Sequence, residues 1–267
     1  VGQQVSEAAI LLPRMSSRHF DHQRQPPPPS LSDLVENLWT VTWDLPAGES
    51  YTAAVLPYPS VNLTVTNTES DVTGLVRHRY DRHLIGRGFA VGIRFRPACF
   101  RPFVRWPVSR LTDQHRPIAE VLGRSTAGLR GRIEEEGDQV RRADILAAFL
   151  LEDVPPADET ALLLAEVVGH IAGDHSITRV SQVAALAQMS VRNLQRAFAD
   201  YVGAGPKWVI QRCRLQDAAA RAAAAESVDW SSLAVELGFA DQAHLTRAFT
   251  ATVGTPPATY AKRAQAD

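Results

Sequence analysis

The stretch Glu236-Leu237-Gly238-Phe239-Ala240-Asp241-Gln242-Ala243-His244-Leu245-Thr246-Arg247-Ala248-Phe249 decides the reading of this chain, because an earlier stretch repeats its logic in other residues. That earlier stretch runs Val183-Ala184-Ala185-Leu186-Ala187-Gln188-Met189-Ser190-Val191-Arg192-Asn193-Leu194-Gln195-Arg196-Ala197-Phe198. In each, a short helical pattern ends at a turn, and a residue able to cap a helix, Ser190 or Asp241, opens a second one. Leu194 and Phe198 fall one turn apart on the second helix of the first copy, as Leu245 and Phe249 do in the other, so that face packs inward. Arg192, Gln195 and Arg196 are left outward in the first copy, and Gln242, His244, Thr246 and Arg247 in the second.

Two short helices joined by a tight turn, the second carrying polar side chains near its start, form a helix-turn-helix pattern. Such a helix suits the major groove of double-stranded DNA, where Arg pairs with guanine and Gln with adenine through two hydrogen bonds. A single copy is hard to tell from an ordinary solvated helix face. Two copies, with Arg196 and Arg247 at matching places before Phe198 and Phe249, are not.

The first unit is expected at about 179–201, its leading helix capped by Thr178, and the second at about 229–252, capped by Asp229. Between them Pro206 opens an alanine-rich central helix at 206–224 that carries Arg212, Arg214 and Arg221. Gly254 and Pro256-Pro257 close the second unit. Major grooves on one face of B-DNA recur every ~34 Å, so one chain with both units calls for a bipartite site with sub-sites about one turn apart.

The whole chain of 267 residues has a formal net charge of -1, which does not suggest a nucleic-acid binder. The sum hides an asymmetry: residues 174–263 hold ten Lys/Arg against seven Asp/Glu, and the remainder 18 against 22. A local charge of +3 is modest, so phosphate attraction rests on where the basic residues lie.

Toward the N-terminus, Val154-Pro155-Pro156 interrupts a helical pattern at about 139–152, and Asp158 caps a fresh helix; a domain boundary is placed there. A second helical pattern lies at about 127–136. Residues 31–155 are read as one domain and 158–263 as another. Val35-Glu36-Asn37-Leu38-Trp39-Thr40-Val41-Thr42-Trp43-Asp44-Leu45 alternates with period two, the odd positions on one side and Leu38 the exception, which marks a half-buried strand. Further strands are expected at Tyr51–Leu56, Val61–Thr66, Val72–Val76, about Tyr80–Ile85 and Phe89–Phe95. The fold class is therefore α+β with two domains. The first is an antiparallel β-barrel or sandwich, cupin-like, with helices; the second is all-α. Residues 1–30, ending in Pro26-Pro27-Pro28-Pro29, are read as a flexible proline-rich arm, with Met15 as an alternative start.

The C-terminal third resembles the DNA-binding domain of the AraC/XylS family of bacterial transcription regulators. The residues that carry the resemblance are Glu236 to Phe249 as quoted, then Gly254-Thr255-Pro256-Pro257 and Tyr260, with departures at Ala243, Leu245 and Ala261. The resemblance implies base and phosphate contacts from Arg192, Gln195, Arg196, Gln242, His244, Thr246 and Arg247. It implies double-stranded DNA as partner, a homodimer, and RNA polymerase if the protein activates. Leu38-Trp39-Thr40-Val41, Val91-Gly92-Ile93-Arg94-Phe95-Arg96-Pro97 and Pro107-Val108-Ser109-Arg110-Leu111-Thr112-Asp113 resemble a β-rich regulatory domain that precedes this DNA-binding domain in some members. Family analogy there implies effector sensing or dimerisation and names no ligand.

Three readings of the whole chain stay open: a regulator controlled by a small effector, a constitutive DNA binder whose first half only dimerises, and an enzyme fused to a regulator. The third lacks the reactive cysteine cluster it needs, since Cys99 and Cys213 are isolated, and no catalytic grouping is legible; no cofactor, metal or catalytic residue is expected. Cys99 reads as a buried thiol more than a redox sensor. Trp39 and Trp43 read as core more than as a ligand cage. Arg77-His78-Arg79-Tyr80-Asp81-Arg82-His83 reads as a solvated basic strand, with an anionic effector as the alternative and His78 and His83 on opposite faces. No apolar run approaches the ~18 residues of a membrane span, and a cytoplasmic protein is expected.

Overall fold

The computed structural model describes residues 19–56, 58–156, 158–224 and 227–265. Met15 and most of the proposed arm lie outside them. Eight strands precede the helices: β1 (Asp21–Gln25), β2 (Val35–Asp44), β3 (Ser50–Val55), β4 (Asn62–Thr66), β5 (Ser70–Thr73), β6 (Tyr80–Ile85), β7 (Arg87–Phe95) and β8 (His115–Pro117). They form a six-stranded sheet in the order β1-β2-β7-β4-β5-β8 and a separate two-stranded sheet of β3 and β6. Every pairing is antiparallel. The β-rich half is thus two sheets, not a closed barrel.

Residues 21–25 fall inside the segment read as an arm, yet they pair along β2 from Asp21 opposite Thr42 to Gln25 opposite Leu38. A polar run becomes a strand here because a neighbour supplies its hydrogen bonds.

Helices α1 (Ile118–Leu122), α2 (Leu129–Glu135) and α3 (Gln139–Leu151) cover one face of the large sheet. Leu38, Leu63, Val65, Val91 and Ile93 point into that core beside Ile118, Ile133, Leu146 and Leu150. This accounts for Leu38, the exception in the period-two pattern: both faces of β2 are covered at its middle, so Leu38 and Thr40 are buried too. Thr40 on that face donates from Oγ1 to Gln139 Oε1 at 2.9 Å. The other face meets the two-stranded sheet.

The helical half runs α4 (Glu159–Gly173), α5 (Val180–Leu186), α6 (Val191–Ala197), α7 (Pro206–Ala224), α8 (Trp230–Glu236), α9 (Gln242–Val253) and α10 (Pro257–Gln265), with α6 continued by a π-helical turn at Phe198–Val202. Asp158 caps α4, accepting from the N–H groups of Thr160 and Ala161. Helix α4 serves two cores: Ala161 and Ala165 pack with the β-rich half, Leu164, Val167, Val168 and Ile171 with α5 and α6.

Helix α7 does the same for the two repeated units. Val209, Ile210 and Cys213 join the core of α5 and α6, while Leu215, Ala218, Ala219 and Ala222 join that of α8 and α9. Its small alanines let α8 to α10 approach closely, and at 19 residues it is about 28 Å long.

Candidate nucleic-acid interface and the interior cavity

Both repeated units are built by the same backbone device. Gln188 and Gly238 turn the chain in the left-handed region, with φ of 51° and 68°. The next N–H then reaches back to close the leading helix, Met189 N to Ala184 O at 2.9 Å and Phe239 N to Ala234 O at 2.8 Å. Ser190 Oγ accepts from Asn193 N at 3.2 Å and Asp241 Oδ1 from His244 N at 2.7 Å, so the second helix of each unit starts at the expected cap. Asp229 caps α8 as expected, accepting from Ser231 and Ser232. Thr178 does not cap α5. The helix starts one residue later, and Gln182 Oε1 reaches back to accept from the N–H groups of Thr178 and Arg179, both at 2.9 Å.

Leu194, Phe198, Leu245 and Phe249 are fully buried. Arg192, Gln195, Arg196, Gln242, His244 and Arg247 are exposed, and Thr246 is half-buried. Several of these side chains carry local ties. Arg196 Nη2 donates to Asn193 Oδ1 at 3.2 Å, Gln242 Oε1 accepts from Ser231 Oγ at 2.9 Å, and His244 lies edge-on to Phe239 with ring centroids 5.3 Å apart. The helix starts are therefore partly pre-ordered. Asn193 was not singled out from the sequence. It is exposed one turn before Arg196, and its position near the start of the helix was the signal.

The arginines of α7 turn inward. Arg212 is 3% exposed, its guanidinium 4.8 Å above the Trp208 ring and hydrogen-bonded to Arg77 O. Burial lowers its pKa to about 10. Arg214 Nη2 donates to Ile177 O at 2.9 Å. Of the three, only Arg221 faces outward to acids, pairing with Asp217 at 2.9 Å and Glu236 at 2.7 Å.

The β-rich half touches both units. Leu56 is buried in the core of the second unit, Leu75 and Ala98 in that of the first. Arg79 Nη1 donates to Val253 O, the end of α9, at 3.3 Å. Thr112 Oγ1 donates to Gly203 O at 2.7 Å, and Arg101 pairs with Asp200 at 2.9 Å, both just beyond α6. The segment read as a solvated basic strand is thus largely committed. Arg77 pairs with Asp113 at 2.6 Å, Arg79 with Asp81 at 2.6 Å and Arg82 with Glu69 at 3.3 Å. Strand β6 starts only at Tyr80, so His78 precedes it.

Between the two sheets lies a cavity of about 530 Å³. Trp39, Val41 and Trp43 of β2 and Asn62, Thr64 and Thr66 of β4 line it, with Ala90 and Arg94 of β7. Trp39 and Trp43 are consequently cavity wall and not core. The indoles lie against β7 because glycine faces them: a Cβ on Gly92 would stand 2.2 Å from the Trp39 ring, and one on Gly88 2.2 Å from that of Trp43. Burial, then the charges of Arg24 and Arg94, push His22 on the cavity wall down to about 4, so its ring is neutral at pH 7. Cys99 and Cys213 are buried, and burial pushes their thiols up to about 11 and about 12. Neither has the exposed, low-pKa character of a redox-sensing thiol.

Two short helices closed by a left-handed turn, built twice on one central helix with polar side chains at both helix starts, define a bipartite helix-turn-helix DNA-binding domain. Residues 183–263 match the helix-turn-helix domain family, and this part of the chain is an AraC-type DNA-binding domain, which makes the protein a DNA-binding regulator of transcription. Residues 23–117 match a domain of unknown function, DUF6597. No curated protein matches the chain significantly.

Among solved structures, ToxT from Vibrio cholerae is similar in outline. An apo variant is 10% identical at a TM-score of 0.44, over 85% of this chain and 98% of that one. Unsaturated fatty acid-bound wild-type ToxT is 11% identical at a TM-score of 0.44, over 86% and 96%. Likeness at that level transfers neither activity nor ligand. Among the described residues no helix is long and apolar enough to cross a membrane.

Proposed function

We propose that the protein binds a two-part operator through the starts of α6 and α9, and that its β-rich half controls this binding in response to a small effector. Arg192, Gln195 and Arg196 read one major groove and Gln242, His244, Thr246 and Arg247 the next. The observation that carries the reading is the duplication itself: two equal turns on one helix about 28 Å long present two polar helix starts from a single rigid frame. With a local charge of only +3, affinity draws on dimerisation through the first half, and an activator would also meet RNA polymerase. We assign residues 31–155, together with β1 (Asp21–Gln25), which completes their large sheet, to the regulatory domain and 158–263 to the DNA-binding domain.

Control by the first half is favoured over mere dimerisation by the contacts of Leu56, Leu75, Arg79 and Thr112. They reach both units, so a change in the β-rich half bears on the spacing of the two readers. The test is selection of bound sequences from random duplexes with the full chain, then fluorescence anisotropy. Two half-sites about one turn apart support the reading; a single contiguous half-site overturns it.

A further inference from the structure

We propose that the cavity between the two sheets binds a small organic acid with a flat aromatic body, its carboxylate held by Arg94, Ser60 and the indole N–H of Trp39. The inference rests on the effector reading above and names the ligand class.

Ser60 is 4% exposed, and its Oγ finds no hydrogen-bond partner among the described residues. The same holds for the buried Nε1 of Trp39 and Nε of Arg94. All three residues line the one cavity. Two of these groups can only donate, and the hydroxyl can donate, so together they ask for an acceptor. Buried donors without acceptors are costly, so a ligand that draws these side chains toward it and satisfies several of them at once is favoured.

The register sets the two donors side by side. Trp39 pairs with Gly92 and Asn37 with Arg94, so the indole and the guanidinium are diagonal neighbours on adjacent strands. Burial is the main cause of the lowered pKa of His22, and the charges of Arg24 and then Arg94 add to it, so both guanidinium groups act on this end of the cavity. Glu36 offsets part of it from nearby: burial raises its pKa, against the pull of Arg94, Arg24 and Arg96. Of the acids on the wall, Glu69 and Asp81 are paired with arginines, and Asp71 stands on β5, two strands from Arg94. An anion is therefore accepted at the Arg94 end.

The body of the ligand is set by the other end. Phe20, Ala53 and Leu84 are buried there beside Val41 and Trp43. Gly88 and Gly92 let both indoles lie against the sheet, which makes the floor a flat aromatic surface suited to an offset-stacked ring. A volume of about 530 Å³ is within the usual range for a small-molecule site. A polyol would leave that floor unused.

The test is isothermal titration calorimetry on the full chain without DNA. The probes are indole-3-carboxylate, trans-cinnamate and 2-naphthoate, each beside the amide of the same shape. Saturable binding of at least one acid is expected, with its amide roughly tenfold weaker or more. Arg94→Gln is expected to remove that preference, weakening the acid far more than its amide. Trp39→Phe, which keeps a ring and loses the N–H, and Ser60→Ala should each reduce it several-fold; they keep the test open should Arg94→Gln fail to fold. Absence of saturable binding by every acid, equal affinity for acid and amide, or an unchanged preference in all folded variants overturns the proposal. Operator affinity measured in parallel separates the two readings, since a chain that binds DNA and no carboxylate sinks this inference alone.

Discussion

Gln188 and Gly238 hold the same left-handed backbone at the same place in the two units, but in different surroundings. Both are exposed, but a Cβ on Gly238 would stand 2.9 Å from Thr178 Cγ2 and 3.3 Å from Arg214 Nη1. The same substitution should therefore have unequal effects. Gly238→Ala is expected to cost about 1–2 kcal/mol, from positive φ and crowding together, while Gln188→Ala stays within about 0.5 kcal/mol because a side chain already bears that strain. Urea denaturation of both variants checks this, and equal losses would contradict it.

Gly92→Ala should disturb the cavity more than the fold. A methyl group placed 2.2 Å from the Trp39 ring forces the indole off the sheet, at a cost of about 1–3 kcal/mol. The accompanying change in tryptophan fluorescence locates the effect; an unshifted spectrum at full stability would mean the ring does not lie there.

His22 makes stability depend on pH. Its folded pKa, about 4, is below the ordinary 6.5, so below pH 6.5 the unfolded chain binds more protons than the folded one. The stability this contributes is complete above pH 6.5 and is lost as pH falls toward 4. His22→Gln should lose less stability between pH 7 and pH 5 than the parent, by on the order of 1–2 kcal/mol. Chemical denaturation of both at the two pH values gives the difference, and parallel pH profiles would exclude the assignment.

Arg196→Ala and Arg247→Ala are each expected to weaken operator binding by about 1–3 kcal/mol, and to relax base preference in different half-sites. Inserting half a turn between the half-sites should weaken the parent as much as losing one of them, because α7 fixes the spacing of the readers. Anisotropy titrations decide. Parent affinity in both variants would remove these residues from the interface.

Arg79→Met breaks the hydrogen bond to Val253 O and takes away the guanidinium that lies beside Gly254, 3.2 Å from where a Cβ there would stand. Faster amide exchange is expected in the last turn of α9, read by hydrogen–deuterium exchange of peptides covering 248–256. Unchanged uptake there would show that the contact does not restrain the helix.

The sequence alone determined whatever rests on neighbouring residues. The caps Asp158, Ser190, Asp229 and Asp241 act over three residues, and Leu194, Phe198, Leu245 and Phe249 are spaced by the helical period, so the paired units and their outward side chains were legible. So was the alternation of β4. Period two, however, says which residues share a face and not what covers it. Both sides of β2 are covered, hence Leu38 is core and Trp39 and Trp43 are cavity wall. Strand β1, Asp21-His22-Gln23-Arg24-Gln25, has no apolar alternation and exists only through its pairing with β2. Arg77 meets Asp113 and Arg212 meets the Arg77 carbonyl across 36 and 135 residues, so a stretch that reads as solvated basic charge is in fact tied down. Those contacts, and the meeting of Trp39, Ser60 and Arg94 at one cavity, follow from chain closure over long separations, which no local pattern encodes.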